Sequence, residues 1–120
     1  MKLYVTRDSV CAGDDVDAPH QITLSVPDKY TLEDIARAIQ RAGYLPTIQG
    51  GKATWSVVSG VPIAVMAQQW SEPKMLTSLD LVRKELDLSG STIRVHVNYH
   101  AQIDPDIVYE ILWGLRLKAI

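Results

Sequence analysis

The apolar segment VPIAVMA at residues 61–67 constrains the fold more than any other part of this sequence. It carries no charged residue, and a strand of this kind is usually covered on both faces of a sheet. Pro62 stands at the start of the segment, where a missing backbone donor does least harm. We therefore expect residues 61–67 to form a strand in the middle of a sheet and to mark the hydrophobic core.

The surrounding residues 44–70 indicate two or three strands that fold back on each other. Gly50-Gly51 and Ser59-Gly60 separate the apolar runs, and glycine accepts the backbone angles of tight turns. Three further segments alternate apolar and polar side chains, as half-buried strands do. These are residues 2–7, 21–26 and 92–100.

Two helices are predicted by their end signals and their apolar spacing. Thr31 and Asp34 resemble a capping box at the start of a helix over 32–42, and Gly43 suits its left-handed cap. Asp104 and Pro105 begin the second helix as its N-cap and first residue. Its apolar stripe consists of Ile107, Val108, Ile111, Leu112 and Leu115. Between these two helices, the spacing of residues 79, 82 and 86 favours a short helix within 74–88.

This order of elements predicts a single α+β domain over residues 1–120. We expect a mainly antiparallel sheet of about five to six strands, with the two main helices packed on one face. A chain of 120 residues is long enough to bury a core without metal or disulfide crosslinks. The single cysteine, Cys11, excludes an intramolecular disulfide framework.

The charge and hydropathy of the chain narrow the classes of partner. A net charge of −2 disfavours a general nucleic-acid binder, which would normally present a basic face. There is no apolar run of the length that a bilayer requires, and Met1-Lys2 leads directly into a strand pattern. We therefore expect a cytoplasmic protein that binds neither nucleic acid nor membrane.

The segment from Asp8 to His20 is a loop that concentrates acidic side chains. Asp8, Asp14, Asp15 and Asp17 lie within ten residues of each other. Crowded carboxylates repel one another, so such a loop favours a neutralising cation. Three readings stay open: a metal ion, a solvated loop with internal turn and capping bonds, or a docking surface for a basic partner. The spacing does not match a calcium-binding loop, and no metal site is predicted.

His96 and His100 lie four residues apart on one strand, with Arg94 and Asn98 on the same side. Their β-carbons are then roughly 13 Å apart, too far to bind one ion without a bend. The residues form either the solvent face of an amphipathic strand or a polar binding face. Cys11 has acidic neighbours, which disfavour a reactive thiolate, and the serines fit no hydrolase motif. We predict no catalytic residue and no cofactor.

Three stretches, RDSVCAGDDVD, GGKATW and AQQW, lie in a small α+β chain. In size, architecture and acidity this chain resembles the immunity proteins of bacterial polymorphic toxin systems, such as those of contact-dependent growth inhibition. The resemblance implies a cytoplasmic protein that binds a cognate toxin domain, often a nuclease, and blocks its active or substrate-binding surface. It implies no catalytic residues.

Two hypotheses follow. The first is a toxin-neutralising protein that uses Asp8, Asp14, Asp15 and Asp17, with buried anchors such as Trp70, Tyr99 or Tyr44. The second is a small-molecule-binding or enzymatic domain whose pocket uses His96, His100 and the acidic loop.

Overall fold

The computed structural model describes residues 1–16, 18 and 20–118, with backbone only for residues 117 and 118. These residues contain seven strands and four helices. They are β1 (Lys2–Arg7), α1 (Ala12–Asp15), β2 (Ile22–Ser25), α2 (Leu32–Arg41), β3 (Thr54–Ser59), β4 (Val61–Ala67), β5 (Lys74–Met75), α3 (Leu79–Val82), β6 (Leu88–Ser89), β7 (Thr92–Tyr99) and α4 (Pro105–Lys118).

The strands form one sheet in the order β2-β1-β7-β3-β4-β5, and β6 pairs with the beginning of β7. Every pairing is antiparallel except that of β1 with β7, which is parallel. The predicted α+β class and mainly antiparallel sheet are confirmed. Within the described residues the sheet has seven strands rather than five or six, because two short strands, β5 and β6, lie at the two ends of the irregular segment 74–89.

Helix α2 covers one face of the sheet. Its apolar side buries Leu32, Ile35, Ala36 and Ile39, which join a core with Leu3, Val5, Val95 and Trp55. The predicted capping box is present: Asp34 N donates to Thr31 Oγ1 at 3.1 Å, and Thr31 N donates to Asp34 Oδ2 at 2.8 Å. Gly43 follows the helix at φ +64°, as the left-handed cap requires.

Helix α4 packs on the opposite face. Val108 of this helix is buried with Val65 and Leu76, whereas Ala64 and Met66 belong to the core under α2. Because alternate residues of a strand point to opposite faces, these two sets lie on different sides of β4. The expectation that both helices share one face is therefore wrong. Nothing local in the sequence shows on which side of the sheet α4 packs.

Strand β4 is buried on both faces from Ile63 to Ala67, as its composition predicted. It lies next to the two-residue strand β5, however, so β7 and β3 are the central strands. Of residues 44–70, only β3 and β4 are strands, and Gly60 makes the turn between them at φ +70°. No helix in the described part of the chain is long and apolar enough to cross a membrane.

Candidate functional site

Helix α4 lies over β4 and β3, and the part of the same sheet face formed by β1 and β7 is polar. We call this part the polar face. The strand register places Tyr4 beside Arg94, Thr6 beside His96, and Asn98 beside Ser56. A shallow depression of about 330 Å³ lies over it, lined by residues that include Tyr4, Thr6, Arg94 and His96. The polar side chains that alternate along residues 92–100 thus lie on a face that is partly accessible to solvent.

Asp8, His96 and Thr6 form a continuous hydrogen-bonded row on the polar face. His96 Nε2 lies 2.8 Å from Asp8 Oδ1, and His96 Nδ1 lies 2.7 Å from Thr6 Oγ1. In the neutral imidazole, Nε2–H donates to the carboxylate and Nδ1 accepts from the threonine hydroxyl. The ring is therefore held at both nitrogens, although the side chains of Asp8 and His96 each stay 42% exposed.

The carboxylate of Asp8 is ionised at neutral pH. Partial burial would raise its pKa, but hydrogen bonds from the backbone N–H of Tyr99, at 2.9 Å, and from His96 outweigh burial and lower the pKa. Asp8 thus presents a fixed negative charge at the end of β1.

A second row lies beside the first. Ser56 Oγ is 2.7 Å from His100 Nε2 and accepts a hydrogen bond from Asn98 Nδ2 at 3.3 Å. Burial lowers the pKa of His100, and the nearby charge of Asp8 offsets only part of that effect. His100 is therefore neutral at pH 7, and in the tautomer with its proton on Nδ1 its Nε2 accepts a hydrogen bond from the Ser56 hydroxyl. Ser56 itself is only 2% exposed, so its hydroxyl supports the histidine from beneath.

The acidic loop contains the short helix α1 and is fixed by an internal ion pair. Arg7 donates to both carboxylate oxygens of Asp14, at 2.7 and 3.1 Å, and Val10 N donates to Asp14 at 2.9 Å. These bonds, with Arg7 the largest contributor, hold the pKa of Asp14 well below its usual range. His20 lies 3.3 Å from the same carboxylate. Asp14 therefore anchors the loop to the end of β1, as the reading of a loop with internal bonds anticipated.

The predicted partner-binding residues do not form one surface. Asp8 lies on the polar face, Asp15 is exposed on α1, and Asp17 lies outside the described residues. Tyr99 packs against Trp55 on the α2 side, with ring centroids 4.7 Å apart. Trp70 is half-buried against the α4 cluster. The two aromatic residues are thus part of the packing, on different sides of the molecule.

Tyr44, the third candidate anchor, is partly buried and packs against the core under α2. Its hydroxyl donates to the backbone oxygen of His20, and burial raises its pKa to about 12.

Two residues that bond to these histidines were missed from the sequence: Thr6 of β1 and Ser56 of β3. The sequence offered a signal for Thr6. It is polar, and the alternation of side chains along β1 places it on the opposite face from the buried Leu3 and Val5. The second hypothesis places His96, His100 and the acidic loop in one pocket. The structure brings His96 together with Asp8 of that loop and places His100 nearby. Within the described ranges, no group of three or more His, Cys, Asp or Glu side chains is arranged to hold a metal ion.

Comparison of the chain with protein-family models, with curated proteins and with solved structures finds no match.

Proposed function

We propose that this chain is a non-catalytic binding protein that acts in the cytoplasm and neutralises a cognate toxin domain by covering its active or substrate-binding surface. The observation that carries the proposal is the polar face itself. Its imidazoles are held by Thr6, Asp8 and Ser56 before any partner arrives. A surface whose side chains are already ordered loses less conformational entropy on association.

The geometry favours recognition over catalysis. The Ser56 hydroxyl is buried beneath His100, so a substrate would not reach it. Thr6 and His96 line an open depression rather than a cleft that would exclude water. An open, polar and preorganised surface is suited to the face of another protein.

The charge of this surface favours a basic partner. Asp8 is ionised and 42% exposed, and the exposed Asp15 belongs to the loop that Asp14 anchors beside it. A nuclease domain is basic where it holds phosphates. Carboxylates at these positions would steer such a domain and fix its orientation. The proposed partner is therefore a toxin domain with a cationic substrate-binding surface.

Binding measurements with matched variants test this proposal. The probe is the C-terminal domain encoded directly upstream of this chain's reading frame, in a catalytically disabled form. We expect Asp8→Asn and Asp15→Asn each to weaken capture by about tenfold at low salt, and less at high salt. The control is Asp80→Asn, because Asp80 is 94% exposed on α3 and lines a groove with Tyr30 and Leu32 on the other side of the sheet.

If all three variants bind the domain with equal affinity, then neither Asp8 nor Asp15 contributes to its capture. Absence of binding by the wild-type chain, together with failure to protect cells that express the active domain, would overturn the proposed function.

A second candidate is a small-molecule-binding or hydrolytic site at the same place. The observation that favours it is the order hydroxyl, imidazole, carboxylate in Thr6, His96 and Asp8 at hydrogen-bonding distances. Its test is a thermal-shift panel of metabolites and metal ions, with hydrolysis of a small activated ester as the activity assay. A signal that His96→Ala abolishes and Asp80→Asn preserves would support this candidate over toxin binding.

A further inference from the structure

An apolar groove lies between α3 and the C-terminal half of α4. Its volume is about 300 Å³, and its apolar lining consists of Val61, Pro62, Leu81, Val82, Leu112 and Leu115. Leu81 and Leu115 are 62% and 54% exposed, so the groove opens to solvent. Small ligands usually occupy concave sites of roughly 300–1,000 Å³ with mostly apolar walls. The groove therefore has the size and lining of a small-molecule site, and it shares no lining residue with the depression on the polar face.

Two residues of this groove each carry a buried polar atom that has no hydrogen-bond partner among the described residues. These atoms are Thr77 Oγ1 and Arg116 Nε. In the part of the chain that the structure describes, only Arg7 Nε shares this property. Buried polar atoms of native proteins are nearly always paired, and an unpaired one requires an explanation. Two such atoms at one concave site indicate a ligand that supplies a hydrogen-bond acceptor.

Arg116 also determines the charge of that ligand. Its guanidinium lies over the ring of Trp113, 3.6 Å from the centroid, and this stacking restricts its orientation. None of the carboxylates in the described ranges forms an ion pair with it. A planar guanidinium binds a carboxylate more strongly than it binds a neutral acceptor. Glu85 lines the groove as well, but it is exposed, so water screens its charge more than that of the partly buried Arg116.

We propose that the groove binds a small amphipathic carboxylate with a short aliphatic chain. The chain lies against Leu81, Leu112 and Leu115 and removes their exposed surface from water. The carboxylate accepts hydrogen bonds from Arg116 and from the hydroxyl of Thr77, because its two oxygens offer about four lone pairs. Such a ligand supplies in one molecule the apolar contact and the hydrogen-bond acceptor that the residues of the groove require.

Titration with octanoate, followed by amide proton–nitrogen correlation spectra, tests the site. We expect saturable shifts of the amide signals of Thr77, Leu81 and Leu112 at millimolar octanoate or below, and none at Thr6 and His96 of the polar face. Octanol is the matched neutral probe, and octylamine is the cationic one. Octanoate should bind at least about tenfold more tightly than either, because only octanoate offers Arg116 an ionic partner. The absence of saturable shifts with octanoate, shifts that exclude the groove, or equal binding of octanol or octylamine would each overturn the proposal.

Charge variants test the role of Arg116. Arg116→Gln should weaken octanoate binding by about tenfold and octanol binding by less than about twofold. The control is Arg83→Gln, because Arg83 is 62% exposed at the end of α3 and lines a different groove. Glu85→Gln should instead strengthen octanoate binding, since it removes a like charge from the groove. If Arg116→Gln binds octanoate as well as Arg83→Gln does, or if Glu85→Gln weakens that binding, the carboxylate does not lie at Arg116.

The variant Thr77→Val separates binding from stability. It removes the unpaired hydroxyl and keeps the branched shape of the side chain. The free protein should unfold at the same or a higher urea concentration, because no hydrogen bond is lost, while octanoate binding weakens by about threefold. A variant that loses stability and keeps its full affinity for octanoate would contradict the assignment of Thr77 to the site.

The groove and the depression on the polar face have separate residues, so the carboxylate site does not depend on the proposed function. Arg116→Gln should leave capture of the upstream-encoded domain unchanged while it weakens octanoate binding. Absence of octanoate binding by the wild-type chain would overturn the carboxylate site alone, and absence of capture would overturn the proposed function alone.

Discussion

Replacing Gly60 with alanine should destabilise the protein more than any other glycine-to-alanine change in the described chain. Gly60 makes the turn between β3 and β4 at φ +70°, which costs an alanine about 1–2 kcal/mol. An added Cβ would also lie 1.7 Å from the backbone oxygen of Glu85. Because that atom belongs to the main chain, it cannot turn aside as the end of a flexible side chain could, and residues 85–87 would have to move by more than an ångström.

The contacts of residues 85–87 set the size of the effect. Asp87 N donates to Ser59 Oγ at 3.1 Å, and Arg94 N donates to Asp87 O at 2.8 Å. Leu86, between Glu85 and Asp87 in sequence, is buried. Losing the two hydrogen bonds costs roughly 1 kcal/mol each. Together with the backbone strain and some exposure of Leu86, we expect Gly60→Ala to lower the free energy of unfolding by about 3–5 kcal/mol.

Two other glycines serve as matched controls in urea unfolding followed by tryptophan fluorescence. Gly51 has φ +68° with open space around the site of a Cβ, so Gly51→Ala carries only the backbone strain of about 1–2 kcal/mol. Gly13 lies in α1 with neither strain nor contact, and Gly13→Ala should be neutral or stabilise by up to about 1 kcal/mol. If Gly60→Ala costs no more than Gly51→Ala, the close contact with Glu85 is not a property of the native state.

Three further predictions concern ionisation and capping. Arg7 keeps the pKa of Asp14 below its unfolded value, so this carboxylate stabilises the fold above about pH 4 and loses that effect as the pH falls. The urea midpoint of Asp14→Asn should therefore fall less steeply in acid than that of the wild type. Burial raises the pKa of Tyr44 from 10.0 to about 12, so the folded state retains a proton that the unfolded state releases, and stability should fall as the pH rises through that window. Tyr44→Phe should reduce this alkaline loss, and an unchanged pH profile would contradict the buried hydroxyl. Thr31→Ala should cost about 1 kcal/mol through the loss of the α2 capping box, and Thr31→Ser, as control, should cost much less.

Local sequence signals predicted the elements of this fold well. The capping box at Thr31 and Asp34, the cap at Gly43 and the alternation at 92–100 each depend on residues only a few positions apart. The side of the sheet on which α4 packs depends instead on long-range geometry. A register irregularity between Val57 and Val58, in the pairing of β3 with β4, changes which later residues of β4 face each side. No local pattern encodes such a shift.

The polar face was predicted only in part, because it too combines local signals with long-range contacts. His96 and His100 were identified from the alternation of their strand, but their partners come from distant segments. The parallel pairing of β1 with β7 sets Thr6 beside His96, and Asp8 follows β1 at the same end. These residues are 90 and 88 positions away from His96. Contacts between the two ends of a chain cannot be obtained from periodicity within either end.

The acidic loop shows how folding changes the meaning of a charge cluster. Composition alone counts Asp8, Asp14 and Asp15 equally, yet Asp14 is committed to Arg7 and Asp8 to His96, which leaves Asp15 as an exposed carboxylate on α1. Because Asp14 also ties α1 to the end of β1, removing it should free the loop as well as a charge. Asp14→Asn would therefore weaken partner capture through loop mobility, with a loss that persists at high salt, whereas the loss from Asp15→Asn should fade as salt screens the charge. The salt dependence of the two variants thus separates a structural carboxylate from one that meets the partner directly.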